Sequence, residues 1–169
     1  MAFQSTVSLK QGFGVIGELF DNGPHRAQSF TLVSGNAANN VIGRAFTVTS
    51  QGVAAAGGTN SFAGILVNPK SYASFGTAAG GPLAPTLTLA NNVQGELLSE
   101  GAIIVTLGAA ATVGDLVYYT NATGILTTTD PGAVAPVLST LIKGAYVDRF
   151  DLTSGLAVIT LSSTSRAGA

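Results

Sequence analysis

Apolar residues in this chain come in short runs and nowhere at helical spacing, which most narrows what it can fold into. No stretch of ten or more residues carries a clean apolar stripe with a 3.6-residue period. Instead, β-branched, aromatic and aliphatic runs are interrupted by Gly, Asn, Asp or Pro about every 8–12 residues, the punctuation of sandwiches and barrels. The runs that read as strands cover residues 13–20, 29–33, 44–49, 62–67, 83–90, 102–107, 115–120, 124–129, 137–147 and 156–162. "RAFTVT" sets Ala45, Thr47 and Thr49 against Phe46 and Val48. "AIIVTL" reads as a core strand, and Pro85 makes 83–90 an edge. The loops "SGNAANN", "QGVAAAGGTN" and "SFGTAAGGP" supply Gly and Asn for turns. Residues 52–60 read as a mobile loop and 163–169 as a frayed tail. The expectation is an all-β chain, a sandwich or barrel over 29–162, preceded by an extended arm over 1–28.

Glycine and proline make up about 17% of the 169 residues, below the roughly 25–30% of low-complexity chains, so the sequence folds. Charged residues are only 9% and the net charge is −1, so no basic field exists to hold a phosphate backbone. No apolar run is long enough for a membrane-spanning helix, and neither nucleic acid nor membrane is expected as a partner. The opening "MAFQSTVSLKQ" lacks the apolar centre of a signal peptide, which predicts a chain made and kept in a cytoplasm, or packaged there. Cysteine is absent, which removes disulfides, thiolate chemistry and zinc–sulfur sites.

One motif invites an enzymatic reading. "GFGVIG" at residues 12–17 spells G-x-G-x-x-G, the dinucleotide-binding pattern. That pattern works only where a strand leads in and a helix leads out, placing the helix N-terminus at the pyrophosphate. Here "ELFDNGP" follows, and Gly23-Pro24 would stop a helix within a turn. No Asp or Glu stands between Asn22 and Gln94, so the ribose-binding acid is missing too. The glycines are better explained as thin backbone that approaches a neighbour closely. The single histidine, His25, lies in a Pro turn, where a solvated or interface role suits it better than a catalytic triad. Glu96/Glu100 and Asp148/Asp151 form close acidic pairs, but without Trp to stack sugars they do not read as a glycosidase. Residues 148–151 read as a turn. A loop calcium ion is the one metal chemistry the acids leave open, and no cofactor is expected. Asn121-Ala122-Thr123 reads as a turn, and one of the adjacent Tyr118 and Tyr119 is expected to face outward as a candidate interface residue.

The first thirty residues hold Phe3, Phe13, Phe20 and Phe30, half of the chain's eight phenylalanines, together with His25 and a Pro turn. This composition describes a sticky extended arm suited to gripping a neighbour, with Phe13 and Val15 on one side and Ile16 and Phe20 on the other. Removing residues 1–22 should then leave the β-domain folded.

The order of phrases along the chain resembles a known family. "MAFQSTVSLKQGFGVIGELFDNGP" is followed by "IGRAFTVTSQG", "FAGILVNPKSY", "GELLSEGAIIVTL" and "ATVGDLVYYTNATGIL". This succession, from Met1 to about Leu161, resembles the structural cement proteins of tailed bacteriophages. The resemblance implies a jelly-roll-like or related barrel and no catalysis. It also implies a homodimer or homotrimer on the outer capsid surface, over junctions between major capsid proteins of the HK97-like type. The arm residues Phe3, Phe13, Val15, Ile16, Phe20, His25 and Arg26 would form the capsid or subunit interface. The rival reading is a carbohydrate- or receptor-binding β-sandwich of a phage tail or cell surface.

Overall fold

The computed structural model describes residues 14–68 and 88–163. Nine strands follow in order: β1 Arg26–Thr31, β2 Ala45–Val48, β3 Ala54–Ala56, β4 Ser61–Leu66, β5 Gln94–Thr106, β6 Leu116–Thr120, β7 Leu126–Thr129, β8 Ser139–Asp151 and β9 Leu156–Leu161. A 3₁₀ turn, Ala37–Asn39, is capped by Asn36, whose side chain accepts the Ala38 N–H. The all-β expectation holds, and every strand pairing is antiparallel.

The path runs β3-β2-β4-β5-β9-β8-β6-β7, with β1 added beside β5. The long strand β5 organises it. Its first half lies between β1 and β4, where Leu98 faces Ala27 on one side and Ile65 on the other. Its second half pairs with β9, from Gly101↔Leu161 to Thr106↔Leu156. The two ends of the path meet through backbone hydrogen bonds. The Ala45 N–H donates to Gly124 O at 2.9 Å, and the Gly58 N–H to Asn121 O at 2.7 Å. This closure is compatible with a jelly-roll-like barrel. It depends on Gly124, where φ is +72° and a Cβ would run into Ala45 O.

Strands β2, β4 and β5 separate two apolar cores, which explains their runs of consecutive apolar residues. Ala45, Ile65 and Leu98 face one core with Val117, Tyr119, Val147 and Ile159. Their sequence neighbours Phe46, Leu66 and Leu97 face the other, with Leu32, Ile42 and Leu89. A layer covered on both faces has no polar side to alternate with.

Several strand expectations need correction. Residues 14–20 form a turn and a single bridge, Leu19↔Ile103, not a strand. Of residues 83–90 only 88–90 are described; Thr88 bridges Val41 and Leu89 is buried. Within 52–60, expected to be a mobile loop, β3 pairs with β2. Val137 and Leu138 lie outside β8, which instead runs on through 148–151 with a bulge at Asp148. Tyr118 is buried as well as Tyr119, because β6 is covered on both faces. Among the described residues the exposed tyrosine is Tyr146.

Candidate functional site

The described part of the arm lies against its own domain. The Gly17 N–H donates to Ile104 O at 2.7 Å, the Ile104 N–H to Glu18 O at 3.0 Å, and the Phe20 N–H to Ala102 O at 2.9 Å. This segment therefore adds to the second half of β5, and β1 continues along the first half. At Gly17 φ is +81°, and a Cβ would strike the Ile42 side chain and the Asn68 backbone. The glycines of "GFGVIG" that are described thus serve close backbone approach, as the sequence suggested.

The predicted arm residues divide accordingly. Ile16 packs on the core that holds Leu32, Ile42 and Phe46. Phe20 carries the Arg149 guanidinium over its ring, 4.9 Å from the centroid. Val15, His25 and Arg26 are exposed. His25 Nδ1 lies 3.1 Å from Gly23 O, and Arg26 O accepts the Ser99 hydroxyl. Phe3 and Phe13 lie outside the described residues.

Three of the acids, Asp115, Asp148 and Asp151, serve local structure. Asp151 accepts from the Thr153 and Ser154 amides and the Ser154 hydroxyl, tying the turn after β8. Asp148 pairs with Arg149 at 3.6 Å, the only ion pair among the described residues. Buried Asp115 accepts the Thr112 N–H at 2.8 Å.

Two surface features escaped the sequence reading. The first is the loop 131–138, "PGAVAPVL", with Val134, Val137 and Leu138 at 92%, 87% and 79% exposure. Its signal was present in the sequence: two prolines, no charge, and Val and Leu with no alternation. The second is an apolar cleft of about 240 Å³, lined by Ile16, Ile42, Leu107, Ile125 and Leu126, with Arg44 in its wall. Arg44 Nη1 donates to Asn39 Oδ1 at 2.9 Å and, at 3.4 Å, to Thr123 O. Burial pulls its pKa below the ordinary value, yet no carboxylate answers it among the described residues. A buried polar network braces the cleft wall. Ser34, Asn40 and Asn91 bond one another, and Asn40 immediately precedes Val41 of the cleft.

Fold and surface together define an all-β domain whose distinctive surface features are an exposed apolar loop and an apolar cleft. The sequence model described as structural cement protein (E217 gp24/Pam3 gp6) matches residues 3–162, and the chain belongs to that family. A chain in the solved capsid of Myoviridae phage XM1 shares the fold, with a TM-score of 0.64 at 19% identity, over 96% of this chain and 99% of that one. No curated protein matches.

Proposed function

We propose that this protein is a cement protein of a phage virion. It binds the outer surface of an HK97-like head and clamps neighbouring major capsid proteins. The observation that carries this reading is the family match across residues 3–162, almost the whole chain. The fold shared with a chain of the XM1 capsid supports it. The role is structural and its mechanism is binding energy. A protein that binds only the assembled lattice raises the free energy of separating subunits, by about 2.7 kcal/mol per site at a hundredfold excess over Kd. Bridging several sites adds avidity without new contacts. Low charge suits this, because fewer charges must be desolvated when the layer is laid down.

In this reading the arm makes the capsid contact. Val15, His25 and Arg26 present exposed side chains, Ile16 and Phe20 hold the segment in position, and Phe3 and Phe13 precede it in the sequence. Because residues 17–20 bond to β5, a cut at residue 13 tests the arm more cleanly than one at residue 22. Heads lacking this protein, titrated with purified full-length chain, should saturate at a simple ratio to the major capsid protein and release DNA at a higher temperature. The chain lacking residues 1–13 should fold normally and bind much more weakly. Full-length protein that neither binds nor stabilises such heads would overturn the capsid role, and unimpaired binding by the truncated chain would overturn the arm assignment.

A further inference from the structure

The apolar cleft holds a charge that the chain itself does not answer. Arg44 stands in its wall, half-buried, immediately before β2. All eight acidic side chains of the sequence lie among the described residues, and none forms an ion pair with it. Asp115 and Asp151 are taken up by turn amides, and Asp148 by Arg149. Withdrawing a guanidinium from water without an anion is unfavourable, so the site favours a ligand that brings one.

The guanidinium is already fixed in place. Its Nη1 donates to Asn39 Oδ1 at 2.9 Å and to Thr123 O at 3.4 Å, which leaves Nε and Nη2 without a hydrogen bond among the described residues. Two unused donors on a planar fork match the two oxygens of a carboxylate. The rest of the wall is apolar. Ile16 packs over Gly43, where a Cβ would strike its side chain, and Ile42, Leu107, Ile125 and Leu126 complete the lining. Backbone hydrogen bonds tie these segments together, Gly17 to Ile104, Gly43 to Leu66 and Gly108 to Leu126. The recess therefore exists before anything binds, and little order is lost in filling it. Its volume of about 240 Å³ has room for about eight groups the size of a water molecule, at about 30 Å³ each. That suits one short alkyl chain and is too little for a strand or helix of another protein.

We propose that the cleft binds an apolar monocarboxylate, a straight-chain fatty acid of about eight carbons. Its chain lies against Ile42, Leu107, Ile125 and Leu126, and its carboxylate sits on Arg44. The site belongs to the domain alone and does not rest on the capsid reading.

Octanoate is the probe. Octan-1-ol carries the chain without the charge, and acetate the charge without the chain. Methyl NMR titration of the full-length natural chain reads the lining Ile and Leu residues directly. Octanoate should shift the methyls of Ile42, Ile125 and Leu126 saturably, with a Kd of about 0.1–1 mM, the range open to a ligand of about ten heavy atoms. Octan-1-ol should bind roughly tenfold more weakly or worse, and acetate not measurably. Arg44→Gln should bring octanoate down to the affinity of octan-1-ol, and Arg44→Lys, which restores the charge, should recover part of the difference. Because Arg44 also braces the fold, a second variant leaves it in place. Gly108→Val adds a side chain beside Ile125, where a Cβ meets only ordinary contacts, and should abolish octanoate binding with little change in melting temperature. Methyls that do not respond saturably below about 10 mM octanoate, octan-1-ol binding as tightly as octanoate, or unimpaired octanoate binding by Arg44→Gln would each overturn the proposal. If octanoate leaves these methyls unmoved and Gly108→Val instead stops attachment to heads, the proposal fails and the cleft belongs to the capsid contact.

Discussion

Replacing Asn91 with Ala removes the centre of the network that braces the cleft wall, and its cost can be worked bond by bond. The Asn91 side chain accepts from the Ser34 N–H at 3.0 Å and from Asn40 Nδ2 at 2.9 Å, and donates to Ser34 O at 2.9 Å. Each hydrogen bond contributes about 1 kcal/mol net. Ser34 and Asn40 are 5% and 0% exposed, so water cannot easily replace what they lose. The sum is about 3 kcal/mol. For a chain of this size each kcal/mol moves Tm by about 2–4 °C, so the variant should melt about 6–12 °C lower. Circular dichroism melts at fixed protein concentration measure this. Hydrogen exchange locates it, because the Ala56 and Leu89 amides, bonded to Ser34 Oγ and Asn40 O, should lose protection first. A fall in Tm below about 2 °C would refute the reasoning, since the network would then contribute no net stability.

Two further outcomes are expected. Burial holds the Tyr119 phenol above its ordinary pKa, and its hydroxyl, near Thr140, makes no hydrogen bond. The neutral ring is favoured in the fold, so the stability it contributes is complete below the unfolded value of about 10 and is lost as pH rises through the folded one. Tyr119→Phe should gain about 1–2 kcal/mol in urea unfolding at pH 7 and flatten the alkaline loss; a destabilised variant with an unchanged alkaline slope would contradict this. Gly17→Ala forces a side chain into a left-handed position against Ile42 and the Asn68 backbone. Strain and overpacking together cost about 2–5 kcal/mol, and the Ile104 amide, which donates to Glu18 O, should lose its exchange protection. Full retention of that protection would show that the arm tolerates the methyl group.

The runs at 102–107, 115–120 and 156–162 were legible as strands because alternation and turn chemistry are local properties of the chain. The absence of helical spacing likewise made the all-β class readable without any partner, and the order of phrases along the chain carried the family. Tertiary structure decided everything that depends on what lies opposite. Tyr118 is buried because β6 is covered on both faces, and no local pattern announces a second cover. Residues 54–56 become a strand because β2 offers them an edge. Val137 and Leu138 read as the start of a strand, yet they stand in solvent because Asn121, distant in sequence, holds Leu138 in a conformation no ladder accepts. The need for glycine at position 17 is set by Ile42 and Asn68, which meet it only in the folded chain. The sequence by itself determined which segments could be strands, since that choice rests on each segment's own period. Pairing partners, doubly covered faces, and the placing of the exposed loop 131–138 and the apolar cleft were settled only by contacts between residues far apart in the chain.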